Sequence, residues 1–146
     1  LAAPVIEIVK AATDIQSQST SNPCATAQAA AIEALSGTQD EVEKMRQIFE
    51  KRRNLMVDLV NDIPELFVLS PQGAFYTFVN TSKLNGKNGI KNSTDFANLL
   101  LEKYHVACVP GGPFGSEDHI RLSFATSDQV IEEGIRRIGV ACKDLG

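Results

Sequence analysis

Apolar residues recur at helical spacing along most of the chain, and polar residues or turn formers separate the periodic runs. Steps of three, four and seven residues place such side chains on one face of a helix. In the last run Ile131, Ile135 and Ile138 recur after Ser127, a residue type that caps helix N-termini well. The pattern predicts helices at 4–18, 24–35, 39–62 and 94–104, and a fifth that begins after Ser127.

Shorter apolar or alternating runs predict strands in the second half of the chain. An extended backbone sends successive side chains to opposite faces. In the last of these runs Ile120, Leu122 and Phe124 share one face, and Arg121 lies on the other. Strands are predicted at 66–69, 74–80, 106–109 and 120–125.

Helices come first and a mixture of strands and helices follows. This order predicts the α/β (α+β) class, with helices packed on a mixed sheet. The chain has 146 residues, of which 43% are hydrophobic and 22% charged, as in an ordinary globular domain.

Charge and cysteine content narrow the classes of function. The net charge of -4 and the lack of a basic stripe argue against nucleic-acid binding, and no apolar run is long enough to cross a membrane. The odd number of widely spaced cysteines favours reduced thiols. We therefore expect the cytoplasm or another reducing compartment, or an organelle if a transit peptide precedes these residues. Without C-x-x-C or histidines at ligand spacing, no metal site is expected.

Arg121 and Phe75 are the residues with candidate chemistry. A planar guanidinium on the polar face of a strand can hold a carboxylate or phosphate through two parallel hydrogen bonds, although a solvated arginine fits the same pattern. Phe75 shares a predicted strand face with Thr77, so core packing and a pocket wall are both open to it. The loop at 109–115 lacks phosphate-loop spacing, and Pro110 and Pro113 remove backbone donors.

Four stretches, in this order, resemble one enzyme family: "LAAP" followed by "IVKAATDIQSQSTSNP", then "FEKRRNLMVDLV", "PQGAFYTFVN" and "VACVPGGPFGSEDHIRLSFATS". They resemble the C-terminal part of a class I, fold-type-I aminotransferase that uses pyridoxal 5'-phosphate, in the prokaryote-type aspartate aminotransferase branch. The resemblance implies large-domain tail helices at 1–38, a connecting helix at 39–62 and the small C-terminal domain at 63–146.

The same resemblance assigns roles to individual residues. It implies that Arg121 binds the substrate α-carboxylate and that Phe75 lies near the substrate. Ser21 and Asn22 match a segment that reaches the active site of the neighbouring subunit, so a homodimer is expected.

The resemblance also places the cofactor's lysine upstream of Leu1, in an S-x-x-K motif, and none of the eight lysines here lies in such a motif. We therefore expect a fragment that is inactive alone, with no catalytic residue and no specifically bound cofactor of its own. The full-length protein, the parent enzyme, would move an amino group between an amino acid and a 2-oxo acid. Its substrates would be of the aspartate/glutamate or the prephenate/aromatic type. Two alternatives remain: a stand-alone carboxylate-binding regulatory α/β module, and a helical interaction module built on residues 1–35.

Overall fold

Five α-helices and three short strands form the part of the chain that the computed structural model describes, residues 4–20 and 22–146. All five predicted helices are confirmed, with ends that differ by one or two residues. Single-turn 3-10 helices occur at Ser82–Leu84 and Gly112–Phe114. The main elements are α1 (Ile6–Ser19), α2 (Ala25–Ser36), α3 (Asp40–Asn61), β1 (Tyr76–Asn80), α4 (Ser93–Tyr104), β2 (Val109–Pro110), β3 (His119–Ser123) and α5 (Asp128–Asp144).

The chain divides into two compact units, and the division falls after Glu41. In the first unit, α1 and α2 bury none of their residues. Ile6, Ile15, Ile32 and Leu35 are all at least 66% exposed, so the apolar stripes of these helices are open to solvent. Helix propensity and local hydrogen bonds account for these two helices, because no core contact does.

The second unit, Val42–Gly146, is built on a sheet in the order β1-β3-β2. The expected α/β class is confirmed. Within the described residues both strand pairings are antiparallel, whereas the order of the elements predicts a mixed sheet. Pro110 lies in β2 at the edge of the sheet, a position that tolerates the loss of a backbone donor.

One face of the sheet is buried against helices α3, α4 and α5. Ile120 and Leu122 of β3 and Val79 of β1 point into this core, as the alternation in β3 predicts. The buried Thr77 hydroxyl donates to the Met56 sulfur of α3 at 3.2 Å, so the polar group in the core has a partner. The helices contribute Met56, Val60, Phe96, Leu100, Ile131, Ile135 and Ile138.

The start of α5 is fixed by a cap and by ion pairs. Ser127 is the N-cap, and its hydroxyl accepts from the Val130 amide, as predicted. Asp128, in the first turn, accepts from Lys51 at 2.9 Å and from Arg52 at 3.4 Å, which ties α5 to α3. The Lys51 hydrogen bond is the main reason that the pKa of Asp128 lies below its usual value.

All four predicted strands are shorter in the structure or absent, and the one predicted at 120–125 is His119–Ser123. The prediction of a strand at 66–69 is wrong: Phe67 forms only an isolated bridge with Asn80. The Asn61 side chain binds the amide and carbonyl of Val68 at 2.9 and 3.1 Å, and these groups are therefore not available for a ladder. The strand predicted at 74–80 begins only at Tyr76, because Ala74 has a positive φ of 61°.

The strand predicted at 106–109 is reduced to Val109–Pro110. His105 adopts a left-handed conformation after α4, and the Val106 amide donates to the Leu100 carbonyl at 3.0 Å. Because the Val106 amide closes the end of α4 in this way, the first residue of the predicted strand cannot donate to a strand ladder. Among the described residues, no helix is long and apolar enough to cross a membrane.

Two glycine-to-alanine substitutions are expected to change stability in opposite directions. A Cβ at Gly111 would lie 2.3 Å from the Ser116 carbonyl oxygen and 2.6 Å from that of His119, so Gly111→Ala should destabilise the chain by about 1–3 kcal/mol. Gly134 lies inside α5 with nothing within 4 Å of such a Cβ, and Gly134→Ala should stabilise by about 0.4–1 kcal/mol. Urea unfolding of the 146-residue chain measures both. A Gly111→Ala chain as stable as the unsubstituted one would contradict the close approach.

The cysteines are expected to differ sharply in reactivity. Burial raises the pKa of Cys108 to about 11 and that of Cys142 to about 12. Exposed Cys24 lies at the start of α2, where hydrogen bonds from the Ala27 and Thr26 amides lower its pKa. Thiolate is the reactive form, so iodoacetamide at pH 8 should modify Cys24 first and the other two only after unfolding. Mass spectrometry checks this; Cys24→Ser is the control, and equal labelling of all three thiols would contradict it.

Candidate functional site

Arg121 lies in the central strand, on the face that the core leaves uncovered. It is half-buried and pairs across the sheet with Phe78, while its neighbours Ile120 and Leu122 point into the core. Its guanidinium carbon is 4.7 Å from the centroid of the Tyr76 ring and 4.8 Å from that of Phe114. Both distances are within the range of a cation–π contact.

Arg121 differs from the other arginines in its polar partners. Within the described residues it forms no hydrogen bond or ion pair through its side chain. The other arginines each have a carboxylate oxygen within 3.4 Å. They are Arg46, Arg52, Arg53, Arg136 and Arg137. The donors of Arg121 therefore remain available for a carboxylate from outside the described chain.

Phe75, the second predicted site residue, is separated from Arg121 by one aromatic ring, that of Tyr76. Its ring meets Tyr76 edge-on at 4.6 Å, and Tyr76 in turn contacts the guanidinium. Phe75 is 46% exposed, whereas Thr77 is buried, so the prediction that they share a strand face is wrong. The extended strand begins only at Tyr76, and alternation therefore does not apply to Phe75.

Phe114 reaches Arg121 from the loop between β2 and β3. The Gly111 carbonyl accepts from the amides of Phe114 and Ser116 at 2.8 and 3.1 Å, and the Gly111 amide donates to the His119 carbonyl at 2.7 Å. The loop folds back on β3 through these bonds, which explains why position 111 has no room for a Cβ. The predicted irregular loop thus contains an ordered turn that presents an aromatic ring.

A line of rings continues from Phe114 to Phe78 and His119. Phe78 meets Phe114 edge-on at 6.2 Å and stacks on His119 at 4.7 Å with an interplanar angle of 11°. The His119 Nδ1 lies 2.6 Å from the Ser116 hydroxyl oxygen. Sequence reasoning did not identify Tyr76, Phe114 or His119 as site residues. The alternation did place Tyr76 and Phe78 on the face opposite Thr77, but it did not show which strand would pair with them.

The predicted cross-subunit segment is described only in part. Ser21 lies outside the described residues. Asn22 is exposed, and its side-chain amide donates to the Pro23 carbonyl at 3.4 Å.

Other places on the described chain do not compete with Arg121 as a site. A cavity of about 530 Å³ lies on the opposite face of the sheet, where Leu122, Ile131 and Ile138 give it a mainly apolar lining. Across residues 4–20 and 22–146, no group of His, Cys, Asp and Glu side chains could hold a metal ion. The exposed sheet face therefore carries the charged group best suited to a ligand.

Comparison with known proteins places this chain in a family. Residues 1–138 match the family described as "Aminotransferase class I and II". An aspartate aminotransferase of Geobacillus stearothermophilus is 47% identical over 132 residues, which cover 90% of this chain and 34% of that protein. An aspartate/prephenate aminotransferase of Cereibacter sphaeroides is 43% identical over 149 residues, covering 99% of this chain and 37% of that protein.

Solved structures agree with the sequence matches. The crystal structure of an aspartate aminotransferase from Rhizobium meliloti superposes with a TM-score of 0.86 at 42% identity, over 94% of this chain and 36% of that one. An alanine aminotransferase from Pyrococcus furiosus gives a TM-score of 0.81 at 29% identity, over 97% and 35%. The chain thus spans about a third of the length of the proteins that it matches.

Proposed function

Because the chain belongs to the class I and II aminotransferase family, we propose that it is the C-terminal part of a pyridoxal-phosphate-dependent aminotransferase. The parent enzyme moves an amino group between an amino acid and a 2-oxo acid. In this proposal residues 1–38 are the tail of the large domain, 39–62 the connecting helix and 63–146 the small domain. The family match runs through all three parts, which favours this function over a stand-alone carboxylate-binding module or a helical interaction module.

The observation that carries the proposal is the unpartnered guanidinium of Arg121. The other arginines have carboxylate partners within the described chain, whereas the donors of Arg121 are free on an exposed sheet face. Every amino acid and 2-oxo acid carries a carboxylate beside the reacting carbon. A bidentate pair with that group fixes the orientation of the substrate.

Three further residues have supporting roles in the proposal. Phe75 forms a wall of the substrate site, and its contact with Tyr76 next to Arg121 supports this assignment. Ser21 and Asn22 contact the active site of the partner subunit in a homodimer. The exposed apolar side chains of α1 and α2 support burial against other parts of the parent or against a second subunit.

We infer that the pyridoxal phosphate site lies mainly in other parts of the parent enzyme. Pyridoxal phosphate chemistry needs a lysine to hold the cofactor and an acid at its ring nitrogen. Within the described part of the chain, no lysine or carboxylate bonds to Arg121. Lys51 and Lys83 have structural partners, Asp128 and the Pro64 carbonyl. We therefore assign cofactor binding to the remainder of the parent enzyme.

The relatives support a class of amino donor and acceptor and do not identify a single pair. Relatives named aspartate and aspartate/prephenate aminotransferases support the aspartate/glutamate or the prephenate/aromatic type. Arg121 serves either type equally, because both share the α-carboxylate. Side-chain specificity is assigned to residues outside this segment.

In the parent enzyme, Arg121→Ala should lower kcat/KM for every amino acid substrate by a similar factor. Removing one partner of a buried charge pair costs roughly 2–5 kcal/mol, which is about 30- to 4,000-fold. Arg121→Lys should restore only part of the loss, since an ammonium cannot make the bidentate contact. Steady-state kinetics with an acidic and an aromatic amino acid measure this.

Arg136→Ala is the matched control for that experiment. Arg136 is an exposed arginine of α5 that pairs with Glu133 on the same helix, so its removal should leave kcat/KM near normal. Cofactor absorbance should persist in both variants. Near-normal kcat/KM of Arg121→Ala on several substrates, or loss of the cofactor, would overturn the assignment.

The 146-residue chain alone should form no stoichiometric adduct with pyridoxal phosphate. After mixing with the cofactor and reduction by borohydride, peptide mapping should find scattered, substoichiometric labelling of exposed lysines. This follows because the cofactor's lysine is assigned to another part of the parent. A single lysine labelled at one equivalent per chain would contradict the proposal.

A further inference from the structure

The guanidinium of Arg121 has two aromatic neighbours and no polar partner in the described chain. We propose that Tyr76 and Phe114 are positioning residues, which hold this guanidinium in place for the substrate carboxylate. The inference rests on the proposed function, because it assumes that Arg121 binds that carboxylate. It adds residues from two further elements, β1 and the loop before β3, to the substrate site.

The strand register alone does not produce these contacts. The residues directly across from Arg121 are Phe78 on β1 and Val109 on β2, and Tyr76 pairs with Ser123. The arginine nevertheless lies against the diagonal neighbour Tyr76 and against Phe114. The ring of Phe78 packs on other rings: it stacks on His119 and forms a T-shaped pair with Phe114. The face is thus packed so that two rings reach the cation.

Contacts with Phe78 and with the backbone of its own loop restrain the position of Phe114. Phe78 contacts it in a T-shaped arrangement at 6.2 Å, and His119, on which Phe78 stacks, lies 2.6 Å from the Ser116 hydroxyl. The Phe114 amide donates to the Gly111 carbonyl at 2.8 Å. Phe114 is therefore part of an ordered turn, even though half of its surface is exposed.

Aromatic rings position an arginine without using its hydrogen-bond donors. A carboxylate neighbour, such as Glu133 beside Arg136, restrains the side chain but competes with an incoming carboxylate. A ring attracts the cation through its π face and restricts the rotamers, while the N–H groups stay free. The Arg121 side chain then loses part of its conformational entropy before the substrate binds, and this preorganisation favours binding.

The rings contact Arg121 rather than any reacting atom in this arrangement. Their loss should therefore weaken carboxylate binding in the ground state and the transition state alike. Such uniform binding appears as a higher KM with an unchanged kcat. A role in the chemical step would change kcat instead.

The first arm of the test uses the 146-residue chain and does not depend on the enzyme activity. Ring currents should shift the side-chain proton resonances of Arg121 upfield of those of Arg136, which has no ring contact in the described chain. Phe114→Leu and Tyr76→Leu should each remove part of the shift. The Phe67→Leu chain is the control, since Phe67 is exposed and has no ring or cation contact among the described residues. An Arg121 shift that neither variant changes would overturn the inference.

The second arm measures kinetics of the parent enzyme. Phe114→Leu and Tyr76→Leu should each raise the amino acid KM by about 2- to 30-fold, with kcat within about twofold. Phe114→Tyr and Tyr76→Phe keep a ring and should keep KM near normal, and Phe67→Leu should behave as the unsubstituted enzyme. If Phe114→Tyr raises KM as much as Phe114→Leu does, the inference is overturned, because Phe114 would then contribute only to the folding of the loop.

The kinetic arm also separates this inference from the proposed function. If Arg121→Ala loses activity while both leucine variants keep normal KM, the positioning role is wrong and the carboxylate role of Arg121 stands. If Arg121→Ala keeps its activity, the proposed carboxylate role of Arg121 fails and the inference fails with it.

Discussion

The antiparallel pairing of β3 with β1 is the constraint on which the rest of the second unit depends. Because side chains alternate along an extended strand, this one pairing buries Ile120 and Leu122 and leaves Arg121 on the opposite face. A slip of one residue would turn the charged group into the core and the apolar groups to solvent. The large free-energy difference between these two arrangements fixes the register, and the register fixes the site.

The charges of the chain fall into two groups with different roles. The helical arginines pair with carboxylates, most of them on the same helix, and such exposed pairs contribute little to stability. Arg121 has aromatic neighbours instead, and its donors are unused within the described residues. This contrast distinguishes Arg121 from the paired arginines of the helices, and it supports the proposed carboxylate role independently of any relative.

The two units differ in what holds them together. The second unit has a continuous core that joins the sheet to three helices. The helices of the first unit expose apolar stripes, and the chain as a whole spans about a third of its relatives' length. A fragment with such stripes fits the proposed place of residues 1–38 in a larger domain, whose surface would cover them.

Local sequence determined the helices, the Ser127 cap and the face on which Arg121 lies. These features depend on periodicity and on single residues such as Ser127, and short-range physics decides them. The resemblance to a known family then led to Arg121 and Phe75. Local pattern failed where a side chain from elsewhere competed for the backbone, as when Asn61 bound the amide and carbonyl of Val68.

Only the tertiary structure decided which groups surround Arg121. Tyr76 comes from a strand far away in sequence, and Phe114 comes from a turn whose shape depends on the bonds of Gly111. Alternation reports the face of each strand separately, but it contains no information about which strands pair or in what register. The site forms from that pairing, because the rings and the cation meet only when β1, β3 and the loop before β3 are folded together.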